Sequence, residues 1–186
     1  STKLQDSLND ITLLYNEVDD TTPLNLNYIQ LKQLVMDLIY NFDSTFYRQD
    51  INLEVKIDHN INMVETDYNI LYTILKHLLQ NAFDFSENGN IEIGAKKVSK
   101  THYTIYVKDE GVGIKEEYLE KIFENFVQVT CKLNDRNKGE NIGTGLFIVK
   151  ALTNLLYGTI RVESTYKKGS TFYITLPLNY ESHVWY

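Results

Sequence analysis

The order of helical and strand-like patterns in this chain predicts an α+β fold. We expect a two-layer sandwich in which helices cover one face of a mixed, mostly antiparallel sheet. Three observations support this prediction: long segments repeat apolar residues at helical spacing, alternating runs come in pairs joined by short turns, and 43% of the 186 residues are apolar. That apolar fraction is enough to fill one substantial core.

The composition argues against several classes of protein. The net charge is -7 and the lysines and arginines are scattered, so the chain lacks the basic stripe expected of a nucleic-acid-binding protein. Cys131 is the only cysteine, which excludes an internal disulfide and suits the cytoplasm. No apolar run approaches the ~20 residues that cross a bilayer, so we expect no membrane insertion by this chain, although a parent protein could be membrane-anchored.

The chain divides into three predicted parts. Residues 1–22 combine a polar helix with a turn-forming linker, residues 23–178 form the globular domain, and residues 179–186 are a tail without a clear pattern. The first helix carries a heptad-like apolar seam at Leu4, Leu8, Ile11, Tyr15 and Val18. Such a seam fits the end of a longer helical bundle and equally a helix packed on its own domain.

Two amphipathic helices are expected to pack on the sheet. Asn27 is placed to cap the first, whose apolar positions run from Ile29 to Phe42. Asp67 is placed to cap the second, whose apolar positions run from Ile70 to Ala82. Each helix has one broad apolar face, which indicates a shared core.

Five runs alternate apolar and polar residues as half-buried strands do, namely 52–58, 91–98, 103–108, 159–164 and 170–176. The second and third form a predicted antiparallel hairpin, and the last two are joined through a turn at 167–169. Between these pairs we expect a short amphipathic helix over Lys115–Phe123 and a longer helix that starts near Gly145 and ends at Gly158.

The segment Asp109–Ile114 directly follows the third strand and has the composition of a ligand-binding corner. Gly111 and Gly113 let the backbone bend and approach a ligand, while Asp109 can accept hydrogen bonds from it. An acid followed by two glycines is also typical of an ordinary hairpin turn, so the pattern alone leaves both interpretations open. The polar stretch 127–142 is longer than a compact domain carries without a function, which predicts a lid.

Five segments resemble, in order and spacing, the catalytic domains of sensor histidine kinases, which share the Bergerat fold with gyrase and mismatch-repair ATPases. They correspond to the asparagine box, the first glycine box, the phenylalanine box, the second glycine box and the terminal hairpin: His77-Leu78-Leu79-Gln80-Asn81-Ala82, Asp109-Glu110-Gly111-Val112-Gly113-Ile114, Ile122-Phe123-Glu124-Asn125-Phe126, Gly143-Thr144-Gly145-Leu146 and Gly169-Ser170-Thr171-Phe172. The resemblance covers about residues 27–177 and implies the same α+β fold with a long ATP lid.

The resemblance implies that Asp109 accepts the 6-amino group of adenine. Guanine presents an oxygen at this position, which a carboxylate repels, so one buried acid can both hold and select the base. Gly111 and Gly113 are expected to give the base room. Further ATP contacts are implied for Ile114, Phe126, Leu146 and Thr171.

The phosphate end is implied to use the helix that carries Asn81. The side-chain oxygen of Asn81 would ligate a Mg²⁺ ion whose other partners are water and phosphate, although an asparagine at this place can also simply cap its helix. Gly143, Thr144 and Gly145 open a helix whose free N–H groups can receive phosphates. Three lid cations are implied to neutralise phosphate charge, or else belong to a solvated loop: Lys132, Arg136 and Lys138.

The implied activity is that of a protein-histidine kinase, which binds Mg-ATP and transfers the γ-phosphoryl group to a histidine on a dimerisation domain of the same parent protein. None of the four histidines in this chain has the sequence context of such an acceptor, so residues 1–22 would be the end of that domain's second helix. Asn81 and His77 are the candidate catalytic residues. A response regulator receiver domain is the further partner that the resemblance implies.

Four positions differ from the usual pattern and cluster around the phosphates. Asp84 replaces a lysine, Phe147 and Tyr157 replace glycines, and His77 replaces an asparagine. The carboxylate of Asp84 would repel the triphosphate unless Mg²⁺ intervenes, yet the resemblance counts it among the ATP-binding positions. One alternative is a degenerate nucleotide-binding module that regulates a partner without phosphotransfer. The other is a dimerising clamp ATPase, which Asp84 favours and which the missing glutamate at position 77 disfavours.

Overall fold

The computed structural model describes residues 23–42, 50–124 and 145–180. In chain order they form strand β1 (Leu26–Gln30), helix α1 (Leu31–Asn41), strands β2 (Ile51–Ile57) and β3 (Met63–Asp67), helix α2 (Tyr68–Asp84), strands β4 (Gly89–Lys97) and β5 (His102–Asp109), helix α3 (Gly145–Leu155), and strands β6 (Thr159–Thr165) and β7 (Gly169–Pro177). The predicted helix within residues 1–22 and the predicted lid over 127–142 lie outside these ranges.

Five strands form the main sheet in the order β2-β4-β5-β7-β6. Strand β2 runs parallel to β4 and the other neighbours are antiparallel, which confirms the predicted mixed sheet and both hairpins. One row of apolar residues crosses four strands, with Ala95 opposite Ile105, Ile105 opposite Ile174, and Ile174 opposite Ile160. This row fixes the register, because a slip by one residue would turn every side chain of a strand to the other face.

The helices and one face of the sheet share a single core. Side chains from all three helices and from the sheet are fully buried in it, among them Leu34, Leu38, Leu75, Leu79, Ile148, Val149, Ile93 and Ile105. Burying one such side chain contributes about 1.5–3 kcal/mol. The predicted two-layer α+β sandwich is therefore confirmed.

The other face of the sheet carries its own polar and aromatic layer. Tyr106 lies over Gly94, where an added Cβ would meet the phenol ring at 2.1 Å, and its hydroxyl donates to Glu92 at 2.6 Å. On the next two strands the guanidinium carbon of Arg161 lies 3.7 Å from the ring centre of Tyr173. These contacts cover the backbone of the sheet on the side that no described helix packs against.

The start of the domain differs from the prediction, because Asn27 does not cap a helix. It lies in β1, which pairs with β3 in a separate two-stranded antiparallel sheet, and α1 begins only at Leu31. Ile29 contributes to the core from the strand, opposite Val64. The prediction was wrong because Ile29 and Leu31 are two residues apart, a spacing that fits a strand as well as a helix start, while β3 is too short and polar to be recognised by its pattern.

The predicted cap of α2 is confirmed. Oδ1 of Asp67 accepts from the backbone N–H groups of Asn69 and Ile70 at 3.0 and 3.3 Å. Its Oδ2 accepts from the backbone N–H of Asn25 at 2.9 Å. One carboxylate therefore caps α2 and also holds the backbone just before β1 by a hydrogen bond.

The predicted helix over residues 115–123 is shorter than expected. Only Glu116–Tyr118 forms a 3-10 helix, and turns follow to residue 124. The N–H groups of Tyr118 and Leu119 donate to carbonyls three residues back, at Lys115 and Glu116. Within this segment only Ile122 is buried, so it lacks the continuous apolar face that holds a full α-helix on a core.

Helix α3 ends in a left-handed turn. The N–H of Gly158 donates to the carbonyl of Thr153 at 2.9 Å, but the residue with positive φ is Tyr157, at 52°. Tyr180 packs against this end, since its ring lies edge-on to Tyr157 and its hydroxyl donates to the carbonyl of Leu156 at 3.0 Å. Tyr180 is only 3% exposed.

Candidate functional site

Asp109 is the last residue of β5 and is buried at the end of the sheet. Its Oδ1 accepts from the backbone N–H groups of Gly111 and Ser170, at 2.9 and 3.2 Å. Burial raises the pKa of this carboxyl group to about 6, although both hydrogen bonds act to lower that pKa. The result is an oriented acid with restricted access to water.

Gly111 and Gly113 fix the loop beside this acid by close packing. A Cβ on Gly111 would lie 2.1 Å from the carbonyl oxygen of Phe85, the residue that follows α2, and the N–H of Val112 donates to that same oxygen at 3.1 Å. Gly113 has a φ of 63°, and its Cβ would lie 2.1 Å from the carbonyl oxygen of Thr165. The glycines thus join the loop to the end of α2 and to the β6–β7 turn.

The β6–β7 hairpin supports the loop from the other side. The N–H of Ile114 donates to Oγ of Ser164 at 2.7 Å, and that hydroxyl lies 3.0 Å from Oγ of Ser170. Gly169 has a φ of 111°, and a Cβ there would lie 2.0 Å from the carbonyl oxygen of Asp109. Three segments therefore meet with backbone-to-backbone contact around Asp109.

Sequence reasoning selected Thr171 from this hairpin, whereas the structure places its neighbour Ser170 beside Asp109. Ser170 is buried, and its backbone N–H reaches the carboxylate. The side chain of Thr171 lies on the outer face of the sheet, on the same side as that of Tyr173. The alternation of β7 carries the signal that finds Ser170, because positions 170, 172, 174 and 176 are all buried.

Helix α2 carries a polar stripe, and one residue of that stripe lies beside the start of α3. His77, Asn81 and Asp84 are spaced by four and three residues and so lie along one side of the helix, and all three are partly buried. A Cβ on Gly145, the first residue of α3, would lie 3.6 Å from Nδ1 of His77, which is ordinary contact distance. The structure thus brings His77 together with the amino end of α3.

Two of the predicted site residues within the described ranges have apolar side chains. Leu146 is partly buried in the first turn of α3, and Ile114 is partly buried at the end of the Asp109 loop, and both pack against the core. Phe147, one of the unusual residues, is 37% exposed in the same turn. The other predicted site residues lie outside the described ranges and stay predictions: Phe126, Lys132, Arg136, Lys138, Gly143 and Thr144.

Within residues 23–42, 50–124 and 145–180, no helix has the length and apolar character needed to cross a membrane.

Comparison with known proteins is consistent with this geometry. The family described as histidine kinase-, DNA gyrase B-, and HSP90-like ATPase matches residues 66–180. Over 157 residues the chain is 33% identical to the sensor protein kinase GraS of Staphylococcus aureus. The match covers 83% of this chain and 43% of GraS, so the chain spans less than half the length of that relative.

Solved structures agree on the fold. The histidine kinase AdeS of Acinetobacter baumannii superposes with a TM-score of 0.76 at 23% identity, covering 95% of this chain and 79% of AdeS. Full-length ShkA in complex with AMPPNP gives 0.79 at 22% identity, over 94% and 35% of the two chains. The catalytic domain of the histidine kinase ThkA gives 0.69 at 25% identity, over 83% and 99%. The chain therefore belongs to the family of histidine kinase-, DNA gyrase B-, and HSP90-like ATPases.

Proposed function

We propose that this domain binds Mg-ATP and transfers the γ-phosphoryl group to a histidine on the dimerisation domain of its parent protein, from which a response regulator receiver domain accepts it. The buried carboxylate of Asp109 is the observation that carries the proposal. Its Oδ1 is oriented by two backbone N–H groups contributed by two different segments. An ordinary turn does not require a buried carboxylate held in this way. Recognition of a base does benefit from such a fixed, partly desolvated hydrogen-bond acceptor.

The base would bind through the second oxygen of this carboxylate. Among the described residues, both N–H donors to Asp109 use Oδ1, which leaves Oδ2 for the 6-amino group of adenine. The 6-oxo group of a guanine or hypoxanthine base would instead face a carboxylate oxygen, and two acceptors repel each other. Asp109 therefore selects the base as well as holding it.

The metal end would lie along the α2 stripe. Among the described residues, no group of three or more histidine, cysteine, aspartate or glutamate side chains forms a metal cage. The amide oxygen of Asn81 and the carboxylate of Asp84, three residues further on, are hard oxygen ligands that fit a Mg²⁺ ion whose other ligands are water and phosphate. When bound, Mg²⁺ offsets the charge of the phosphate oxygens. Asp84 then ceases to be a repulsive neighbour of the triphosphate.

The phosphates would occupy the amino end of α3. Free N–H groups at a helix start carry partial positive charge, and Gly145 leaves the approach to them open. Gly143, Thr144 and the lid residues Lys132, Arg136 and Lys138 are proposed to complete this end. His77 contacts the same place from α2 and stands where hydrolytic relatives have a glutamate, so we propose that it positions phosphate without activating water.

The proposed domain boundaries follow from the same contacts. Residues 1–22 are proposed to be the end of a dimerisation helix with its linker. The catalytic domain is proposed to begin at residue 23 and to extend to Tyr180 rather than residue 178, because Tyr180 is buried and bonds Leu156. Residues 181–186 would then be the tail.

Calorimetry with Mg-ATP and Mg-ITP tests the base assignment, because inosine carries the 6-oxo group. We expect the wild type to prefer ATP by about tenfold or more, and Asp109→Asn to lose that preference, since an amide can also donate to an oxygen. Glu110→Gln is the matched control, because the Glu110 carboxylate bonds Asn90 instead of facing the corner. A wild-type domain that binds no ATP in the presence of Mg²⁺ would refute the proposal.

The exposed side chain of Phe147 favours a second candidate, a nucleotide-binding regulatory module without phosphotransfer. It lies in the first turn of α3, where the resemblance expects a glycine close to the phosphates. Following the γ-phosphate label in the parent protein separates the two functions. An acid-labile phosphohistidine identifies the kinase, whereas ATP that binds and is never transferred identifies the regulatory module.

A further inference from the structure

We infer that Ser164 is a positioning residue for base recognition, because its hydroxyl holds the hydroxyl proton of Ser170 away from the carboxylate of Asp109. These three residues form one row across strands β6, β7 and β5. Ser164 lies opposite Ser170, and Ser170 lies opposite Asp109. Their side chains therefore project from the same face of the sheet, at the spacing of directly opposite neighbours. The side chain of Ser170 thus lies between a hydroxyl and a carboxylate.

The hydroxyl of Ser164 has its hydrogen-bonding capacity filled by three partners. It accepts from the N–H of Ile114 at 2.7 Å and donates to the carbonyl of Gly169 at 3.0 Å. Its third contact is the hydroxyl oxygen of Ser170, at 3.0 Å. A serine hydroxyl has one proton and two acceptor lone pairs. Because the carbonyl of Gly169 can only accept, it takes the proton of Ser164, and Ser170 is the donor between the two hydroxyls.

The hydroxyl of Ser170 has an acceptor on each side, Ser164 on β6 and Asp109 on β5. The hydroxyl contacts Ser164, while the backbone N–H of Ser170 donates to Oδ1 of Asp109 at 3.2 Å. A change of χ1 rotamer would turn the hydroxyl toward the carboxylate without moving the backbone. Ser170 is buried, so leaving its hydroxyl unpaired is costly, and the charged carboxylate is the neighbouring acceptor that remains if Ser164 loses its oxygen.

The oxygen of Ser164 is held in place from two directions. Ile114, which ends the loop after Asp109, donates to it, and Gly169 accepts its proton. Gly169 is itself fixed, because a Cβ there would lie 2.0 Å from the carbonyl oxygen of Asp109. A side chain that accepts from one group and donates to the other needs a hydroxyl, which serine and threonine have and which alanine and valine lack.

The direction of the Ser170 proton decides how much of the carboxylate is open to a base. Oδ1 of Asp109 already accepts from two backbone N–H groups. A hydroxyl turned onto the carboxylate would compete for the oxygen that is proposed to accept the 6-amino group of adenine. A hydroxyl held by Ser164 leaves that oxygen to the base. The consequence for adenine rests on the proposed function, whereas the direction of the proton does not.

The pKa of Asp109 reports on this proton in the absence of nucleotide. Burial and the N–H groups of Gly111 and Ser170 together set the pKa of Asp109 to about 6. The neighbouring carboxylate of Glu110 bonds Asn90 instead. An additional hydroxyl donor would stabilise the ionised form of Asp109 and so lower its pKa.

A comparison of Ser164→Thr with Ser164→Val tests the inference, because the two new side chains have the same shape and only threonine keeps the hydroxyl. NMR titration of the side-chain carboxyl carbon measures the pKa of Asp109 in the whole 186-residue chain. We expect Ser164→Thr to keep the wild-type curve and Ser164→Val to raise the ionised fraction near pH 5.5 about twofold. Mg-ATP affinity should stay unchanged in Ser164→Thr and fall about fivefold in Ser164→Val.

The same substitution made without the Ser170 hydroxyl separates this role from loosened packing. Looser packing in Ser164→Val would admit water to Asp109 and also lower its pKa. Only a competing hydroxyl, however, is removed by Ser170→Ala. We therefore expect Ser164→Val to have its effects in the wild-type background and almost none in the Ser170→Ala background. Equal effects in both backgrounds would leave Ser164 with a packing role alone and disprove the inference.

The control is Thr165→Val, which replaces a hydroxyl by a methyl group on the exposed side of the same strand and should leave the pKa of Asp109 unchanged. Urea unfolding verifies that each variant is folded, and Ser164→Ala replaces Ser164→Val in the comparison if the latter does not fold. An Asp109 pKa that stays at the wild-type value or rises when the Ser164 hydroxyl is removed would contradict the inference. A wild-type chain that binds no Mg-ATP would refute the proposed function, while the titration would still report the direction of the Ser170 proton.

Discussion

Two opposing influences act on the carboxyl group of Asp109. Burial raises its pKa from 3.8 to about 6, and the N–H groups of Gly111 and Ser170 oppose that shift only in part. Between these pH values the folded domain holds a proton that the unfolded chain has released, so this group lowers stability as the pH rises through the window. Above pH 6 its cost reaches up to about 3 kcal/mol. The residue proposed to select the base therefore lowers the free energy of unfolding of the domain.

We expect Asp109→Asn to leave the nucleotide-free domain at least as stable as the wild type at pH 7.5. The amide oxygen can accept the same two N–H groups without a buried charge. Urea unfolding at pH 4.5 and 7.5 measures this, and the advantage of the variant should be larger at the higher pH. Strong destabilisation by Asp109→Asn at pH 7.5 would show that the ionised form is needed for folding.

The same pKa predicts how nucleotide affinity depends on pH. The ionised carboxylate is the better acceptor for an amino group, so Mg-ATP affinity should rise as the pH increases through about 6 and then level off. Calorimetry between pH 5 and 8 measures the curve. Asp109→Asn should flatten this part of the curve, and a step that persists in the variant would have to come from another group.

Neighbouring residues of β7 should differ in their effects on binding. Ser170 faces Asp109 and Ser164, whereas Thr171 faces outward toward Tyr173. We expect Ser170→Val to weaken Mg-ATP binding about tenfold, because it replaces a hydroxyl of the corner by a bulkier apolar group. Thr171→Ala should change it less than about twofold. The reverse order of effects would show that the base approaches from the other side of the strand.

At the scale of loops and helix ends, two glycines that the sequence suggests for ligand contact have different surroundings. A Cβ on Gly111 would clash with the backbone of Phe85, whereas a Cβ on Gly145 would only touch His77. We expect Gly111→Ala to destabilise the domain by about 2 kcal/mol or more. Gly145→Ala should leave stability unchanged or raise it by up to about 1 kcal/mol, because alanine is the better helix former.

Measured together, these two variants separate folding from binding. Gly145→Ala should weaken Mg-ATP binding despite a fully stable fold, because its methyl group lies where phosphates are proposed to approach α3. Chemical unfolding gives the stability and calorimetry the affinity. Unchanged ATP affinity in Gly145→Ala would mean that the phosphates bind elsewhere.

Two residues other than glycine adopt positive φ at element ends. Lys167, at 66°, is exposed in the β6–β7 turn, and Tyr157, at 52°, follows α3. Lys167→Gly should stabilise the domain by about 0.5–1 kcal/mol, because the strain of the left-handed conformation exceeds the entropy cost of glycine. Tyr157→Gly should gain less or nothing, because it also loses the edge-on contact with Tyr180. Urea unfolding of both variants compares them directly.

At the scale of the whole molecule, sequence reasoning succeeded where the determining interactions are local. The cap at Asp67 and the two hairpins each follow from residues close together in the chain. The pairing of β1 with β3 joins segments almost 40 residues apart. Neither strand has an alternation of apolar and polar residues long enough to predict the pairing. The helix assigned near Asn27 was wrong for that reason.

The candidate site shows the same difference between local features, which the sequence indicates, and long-range contacts, which it does not. The sequence predicts Asp109 and the polar residues of α2 as site residues, and that stays a prediction, but it does not predict the packing role of the loop glycines. Sequence spacing suggests that Gly111 and Gly113 give space to a ligand, whereas the structure fills the position of each missing Cβ with a carbonyl oxygen. Such contacts depend on how Phe85 and Thr165, distant in the chain, are placed by the core.

One residue joins the two ends of the candidate site. The N–H of Phe85 donates to the carbonyl of Asn81, and the carbonyl of Phe85 accepts from the N–H of Val112. The two hydrogen bonds use the two adjacent peptide groups on either side of the Cα of Phe85, so both amides should exchange with deuterium in one cooperative event. Free adenine, which has no phosphate and needs no metal, should therefore slow amide exchange at Phe85 as much as at Val112. The helix proposed to bind the metal would then respond to a ligand that never touches the metal.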